Sequence, residues 1–331
     1  MSFETALQLF RNACGLGAPL SLVCQEARSS AGAYTPLDYP RPFLLVGRCP
    51  QADLFLEHPQ VSRRHTYLQA IAGRVFWVDL ESRTQTYWDG QEAAQSQGWL
   101  DPGQFLQVGP YRIHRTDRQA EEPARSEGLD PFAAQDGAGS QGDALPRPWL
   151  ELPIRVGGQT STWTMKGSLA LVGRSERCQF AFGDDSVSRY HACLVRTPFG
   201  LWVVDLAARE GVYVNGIRVR WAWLADGDPI RIGLFTFVLR YESPPEGICR
   251  QDVPLSAGAS STAPPAPARA PTLASSDRDR RSLAVRHKAP TPSLMRAQPV
   301  PQPVVAGAPA PLSRGDWEPV PAPGSNLLAL W

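Results

Sequence analysis

Residues 173–216 read GRSERCQFAFGDDSVSRYHACLVRTPFGLWVVDLAAREGVYVNG, and residues 47–90 read GRCPQADLFLEHPQVSRRHTYLQAIAGRVFWVDLESRTQTYWDG. The two stretches align without a gap at a spacing of 126 residues. Gly173-Arg174 falls on Gly47-Arg48, Ser188-Arg189 on Ser62-Arg63, His191 on His65, Val204-Asp205-Leu206 on Val78-Asp79-Leu80, Arg209 on Arg83 and Gly216 on Gly90. Beyond the turn the spacing becomes 124, with Leu224 on Leu100 and Ile232-Gly233 on Val108-Gly109. A loop absorbs a two-residue change at little entropic cost. A unit of about 100 residues is far longer than a solenoid repeat, so the chain holds two copies of one domain.

Working outward from the repeat, short β-branched and aromatic runs recur in both copies. The first has Leu20 to Cys24, Phe43 to Val46, Val75 to Val78 and Phe105 to Val108. The second has Trp149 to Leu152, Ser168 to Val172, Leu201 to Val204, Val212 to Val214, Ile230 to Ile232 and Phe235 to Leu239. Runs of this length, punctuated by Gly, Pro and Asp, predict an all-β chain with a sandwich in each copy. Phe3, Leu7, Phe10 and Cys14 share one helical face, which predicts a short N-terminal amphipathic helix over Ser2 to Cys14 packed on the first sandwich. The expected order is a helical segment at 1–16, a domain at 17–117, a flexible acidic Gly/Ala-rich linker at 118–147, a domain at 148–243 and a tail at 244–331. The tail holds more than half of the chain's 32 prolines, with Ala, Ser and Gly filling most of the rest. Such a composition buries too little apolar surface to offset ordering entropy, so the tail is expected to be disordered.

With a formal net charge of +1 over 331 residues, no overall field favours nucleic acid or an anionic membrane. No run approaches the roughly 18 apolar residues of a membrane span, and Met1 to Thr5 lacks the basic flank of a secretory signal. The six cysteines, Cys14, Cys24, Cys49, Cys178, Cys193 and Cys249, form no Cys-x-x-Cys pair. Reduced thiols in a cytoplasmic protein, with no metal and no cofactor, are the expectation.

Anion recognition must then be local. Arg48 and Arg174 each follow a glycine at a strand end, and Ser62-Arg63 and Ser188-Arg189 offer a hydroxyl, a guanidinium and loop amides. Together these groups suit a tetrahedral dianion. A phosphate ester carries roughly −1.5 to −2 charges, and each charge-assisted bond contributes on the order of 1.5–3 kcal/mol. A catalytic reading of His65 and His191 fails for want of an activating third group and of a Gly-x-Ser-x-Gly elbow; loop bracing is the expected role. Asp89-Gly90 and Asn215-Gly216 are two-residue hairpin turns.

Gly-Arg, Ser-Arg-x-His, Asp-Leu and the Tyr-Val-Asn-Gly hairpin together resemble the forkhead-associated (FHA) domain, over residues 17–117 and 148–243. The resemblance implies an eleven-stranded sandwich whose loops at one end bind phosphothreonine peptides without catalysis. It implies phosphopeptide contacts for Arg48, Ser62, Arg63, Arg174, Ser188 and Arg189, and architectural roles for Gly47, Gly173, His65 and His191. Where the family usually reads Asn-Gly-Thr, the copies read Thr84-Gln85-Thr86 and Glu210-Gly211-Val212, each preceded by an arginine, Arg83 or Arg209. These arginines are expected to replace part of the missing contact. The implied function is a phosphothreonine-binding adaptor for a Ser/Thr kinase or its substrates, with no nucleic-acid or membrane partner. A threonine of the chain itself (Thr5, Thr262, Thr272 or Thr291) is a further candidate ligand. The competing reading is a scaffold whose sandwiches bind partners without phosphate.

Overall fold

The structure, a computed structural model, describes residues 3–26, 36–89, 91, 93–116, 130–133, 145–156 and 159–245. It opens with helix α1, Phe3–Ala13, and every other regular element is a strand. The first domain comprises β1 (Leu20–Glu26), β2 (Leu37–Tyr39), β3 (Phe43–Gly47), β4 (Leu54–Phe55), β5 (Thr66–Ile71), β6 (Arg74–Asp79), β7 (Thr86–Trp88), β8 (Gln97–Leu100), β9 (Phe105–Val108) and β10 (Tyr111–Arg115). They form two five-stranded sheets, β2-β1-β10-β9-β7 and β4-β3-β5-β6-β8.

The second domain repeats the plan with β11 (Pro148–Val156), β12 (Gln159–Thr164), β13 (Leu169–Gly173), β14 (Phe180–Ala181), β15 (Ala192–Thr197), β16 (Gly200–Asp205), β17 (Val212–Val214), β18 (Ile217–Val219), β19 (Trp221–Leu224), β20 (Pro229–Ile232) and β21 (Phe235–Tyr241). Its sheets run β12-β11-β21-β20-β17-β18 and β14-β13-β15-β16-β19. The expected all-β architecture, two sandwiches behind one short helix, is the observed one. The described residues give ten strands in the first copy and eleven in the second.

Side chains along β3, β5 and β6 alternate between two cores. Leu44, Val46, Leu68, Val75 and Trp77 fill the interior of the first sandwich. Phe43, Leu45, Tyr67, Phe76 and Val78 point the other way, into a cluster that also takes Leu169, Leu171, Cys193, Val195, Trp202, Val204, Trp221 and Trp223 from the second domain. The interior of the second sandwich receives the intervening Ala170, Val172, Leu194, Val203 and Leu224. Continuous apolar runs such as Phe43-Leu-Leu-Val and Leu201-Trp-Val-Val thus reflect burial on both faces of the strand. Helix α1 inserts Leu7 and Phe10 into the same shared core, and Cys14 follows just past its end. The helix therefore packs between the domains and not, as expected, on the first sandwich alone.

The shared face joins corresponding positions of the two copies. The Arg64 guanidinium donates to the carbonyl of Tyr190, its counterpart 126 residues on, and Tyr67 interacts with its counterpart Cys193. A residue meets its own equivalent only across a local twofold axis, so the duplicated sandwiches pack as a pseudo-symmetric dimer within one chain. A buried ion pair crosses the seam beside the axis, from the Arg220 guanidinium to the Asp53 carboxylate at 2.8 Å, and Arg41 pairs with the same carboxylate from within the first domain.

Within the span expected as linker, residues 130–133 lie against the second domain. The Pro131 carbonyl accepts from the Leu169 amide at 3.0 Å, and the Phe132 ring meets Phe76 of the first domain edge-on. Thr262, Thr272 and Thr291, and most of the expected tail, lie outside the described residues. Among the described residues no helix is long and apolar enough to cross a membrane.

Candidate functional site

Each Gly-Arg pair sits where a central strand leaves its sheet and meets the Ser-Arg-x-His loop backbone to backbone. The Arg48 amide donates to the Ser62 carbonyl and the Cys49 amide to the Arg63 carbonyl, both at 2.9 Å. Arg174 and Ser175 make the same two bonds to Ser188 and Arg189. The approach is so close that a Cβ on Gly47 would stand 2.3 Å from the Arg63 carbonyl oxygen, and one on Gly173 2.2 Å from that of Arg189. Only glycine lets strand and loop touch there. The motif therefore fixes where Arg48 and Arg174 emerge relative to Ser62 and Ser188.

The two histidines brace the loop from below and are wholly buried. In each, Nδ1 accepts from the backbone amide of the motif serine at 3.1 Å, which leaves the proton of a neutral ring on Nε2. Nε2 then donates to the Gln85 carbonyl at 3.1 Å in the first domain and to the Gly211 carbonyl at 3.0 Å in the second. Gln85 and Gly211 occupy corresponding left-handed positions, with φ of 60° and 73°. The histidine thereby ties the serine loop to the loop leading into β7 or β17.

Burial lowers both histidine pKa values, against the opposing pull of the bonded carbonyls and of Asp79 or Asp205. Below the unfolded value of about 6.5 the unfolded chain binds these protons before the folded chain does. The histidine contribution to stability is thus complete above about pH 7.5 and drains away as pH falls through 6.5 toward the depressed folded values. We expect the melting temperature to fall between pH 7.5 and 6, and His65→Gln to flatten that slope; calorimetry across this range reads it.

Above the histidine, the Ser62 hydroxyl oxygen accepts from the Arg83 backbone amide at 2.9 Å. Among the described residues its own proton has no acceptor, so it is available to an incoming anion. Ser188 repeats this with Arg209 at 3.2 Å. The guanidinium of Arg83 bonds the Pro59 carbonyl and that of Arg209 the Asp185 carbonyl, each at 2.7 Å. Both arginines clamp the preceding loop while standing exposed beside the serine. Arg48 points the same way, its Nε donating to the Val61 carbonyl at 3.2 Å.

The copies differ in charge. Around Ser62, the guanidinium groups of Arg48, Arg63 and Arg83 are exposed and have no carboxylate partner among the described residues. Around Ser188 every arginine has one. Arg174 faces Asp185 at 3.5 Å, Arg209 faces Glu210 at 3.3 Å, and Arg189 reaches across the seam to Glu81 at 2.8 Å. In the first copy the position of Asp185 is Pro59, and that of Glu210 is Thr84. The structure thus brings Arg48, Ser62, Arg63 and Arg83 together at one loop end, and Arg174, Ser188 and Arg209 at the other. Arg189 is turned toward the neighbouring domain.

The hairpin turn after β17 has Asn215 and Gly216 at φ of 51° and 78°, the pair of positive values a two-residue hairpin demands. Asp89 has φ of 45°, while Gly90 lies outside the described residues. Sequence reasoning missed Arg64 and Glu81, which join the two loop regions. Arg64 donates to the carbonyls of Tyr190 and Leu206. The Glu81 carboxylate accepts from Arg189 and from the Ser175 hydroxyl, the latter at 2.7 Å. Their signal lay in the repeat itself, because Arg64 and Glu81 break the otherwise matching motif against Tyr190 and Ala207. Among the described residues no three His, Cys, Asp or Glu side chains gather as a metal site would require.

The FHA domain family matches residues 44–109 and 170–233. The oxoglutarate dehydrogenase inhibitor of Corynebacterium efficiens is 35% identical over 98 residues, which is 30% of this chain and 66% of that protein. An ABC transporter ATP-binding/permease protein of Mycobacterium tuberculosis is 40% identical over 62 residues, 19% of this chain but only 7% of the transporter. The chain thus spans less than two thirds of either relative. Among solved structures, an FHA domain studied for its phosphothreonine-dependent interactions is 29% identical, covering 29% of this chain and 98% of its own at a TM-score of 0.27. The chain carries two FHA domains in tandem.

Proposed function

We propose that this protein is a non-catalytic adaptor that binds phosphothreonine-bearing segments of proteins phosphorylated by a Ser/Thr kinase, and that the first FHA domain is the principal reader. One observation carries the reading. Around the Ser62 hydroxyl, three guanidinium groups have no carboxylate to neutralise them among the described residues, so a phosphate displaces water and no ion pair. In the second domain, Asp185 and Glu210 stand where the phosphate and its peptide would approach. Exposed pairs of this kind are worth only about 0–1 kcal/mol, so they weaken this site without closing it. The FHA family's mode of recognition, a phosphate held by arginine and hydroxyl groups in loops, fits both copies.

The test is titration of the full-length chain with peptides drawn from a phosphothreonine library, each beside its unphosphorylated form. Arg48→Ala should weaken the phosphopeptide at least tenfold, and Arg174→Ala less than threefold. Equal binding of phosphorylated and unphosphorylated peptides would instead favour a phosphate-independent scaffold, a role for which the neutralised second loop end is the better suited.

A further inference from the structure

The pseudo-twofold sets the two serine loops against each other, and the pairs across it are unequal. Arg189 of the second domain finds a carboxylate, Glu81, on the facing loop. The position in the second domain that corresponds to Glu81 is Ala207, which offers no carboxylate. Arg177 also reaches Glu81, at 3.8 Å from its Nε. The seam between the loop ends therefore carries two exposed guanidinium groups, Arg177 and Arg189, and the Ser175 hydroxyl, all gathered on the carboxylate of Glu81. Arg64, half-buried beside them, adds a third positive charge and donates to the backbone carbonyls of Tyr190 and Leu206.

The loop ends are also held at a fixed separation. Ser62 lies two residues before Arg64, and Ser188 two residues before Tyr190, whose carbonyl Arg64 bonds. Two such steps and one arginine side chain bound the distance between the serines at about 25 Å, which about eight extended residues cover. The shared apolar core keeps this spacing from varying as it would in domains joined by a free linker.

We propose that the partner is doubly phosphorylated: one phosphothreonine sits at Arg48, Ser62, Arg63 and Arg83, and a second, within about eight residues on the same segment, is taken at the seam by Arg177, Arg189 and the Ser175 hydroxyl. This rests on the phosphothreonine reading above and names its substrate class. Glu81 then acts as a placeholder for the second phosphate, which draws Arg189 away from it. Rigid presentation makes the second contact intramolecular, so the gain exceeds the twofold of two independent sites.

The experiment titrates the full-length chain with three versions of one peptide, built from the best library-selected phosphothreonine motif written twice, four to eight residues apart. Two versions carry a single phosphothreonine and one carries both. The expected result is binding of the doubly phosphorylated peptide at least tenfold tighter than of the better single one. Arg177→Ala should reduce that advantage to threefold or less, and Glu81→Gln should enlarge it. A doubly phosphorylated peptide no more than twofold tighter at every spacing, with single phosphopeptides still preferred over unphosphorylated ones, overturns the seam site and leaves the reader intact. If no single phosphopeptide is preferred over its unphosphorylated form, both fall together.

Discussion

Gly47→Ala is expected to weaken phosphothreonine-peptide binding about a hundredfold, whereas Gly173→Ala should change it less than threefold. The new Cβ at position 47 would stand 2.3 Å from the carbonyl oxygen of Arg63 and 2.9 Å from its carbonyl carbon. Both are backbone atoms, and no rotamer change relieves a clash with backbone. The loop must therefore move outward, breaking the bonds from Arg48 and Cys49 to the Ser62 and Arg63 carbonyls. Overpacking of this kind destabilises by roughly 1–3 kcal/mol. The larger effect falls on binding, since the displaced Ser62 carries the hydroxyl away from Arg48. Gly173→Ala meets the same obstacle at Arg189 and lowers the melting temperature comparably. It acts on the loop end whose arginines are already matched by Asp185, Glu210 and Glu81. Comparable losses of affinity in both variants would mean that the two domains share the binding equally.

Phe10→Ala should cost about 3–5 kcal/mol, the loss of a wholly buried aromatic ring together with the cavity it leaves. Phe10 stacks on Trp202 with ring centroids 4.2 Å apart and planes 7° from parallel, and Trp221 and Phe43 approach at 5.5 and 6.0 Å. It thus plugs the point where helix α1 and both domains meet. The variant should melt much earlier than the wild type in calorimetry. It should also split one transition into two if the domains unfold together only because the shared core couples them. A variant melting within a degree or two of wild type would place the helix outside the cooperative unit.

Much of this architecture was legible in the residues. The repeat gives the domain count, and its spacing sets Gly47-Arg48, Ser62 and His65 in one motif. The histidines fit a structural reading because a ring accepting at Nδ1 and donating at Nε2 has no nitrogen left for proton transfer. Short strands such as β4 and β14 escaped notice because two residues carry no periodicity. The seam escaped notice for a different reason. Phe43-Leu-Leu-Val46 and Trp221-Ala-Trp-Leu224 lack the alternation of a half-exposed antiparallel strand, and that was the sign that both faces are covered. The direction of Arg189 is invisible in the sequence because duplication implies equivalent roles, while packing the copies face to face sets Arg189 on Glu81, whose own counterpart is Ala207. The helix was recognised from the face shared by Phe3, Leu7, Phe10 and Cys14, yet a single amphipathic face does not name its partner.

The most direct measurement follows the backbone amide resonances of isotopically labelled full-length protein as a phosphothreonine peptide is added. A phosphate seated at the first loop end should shift the amides of Arg48, Ser62 and Arg83 at the lowest peptide concentrations, with those of Arg174, Ser188 and Arg209 following only at higher ones. Shifts confined to the second domain, or identical shifts with the unphosphorylated peptide, would contradict phosphate recognition by the uncompensated arginines around Ser62.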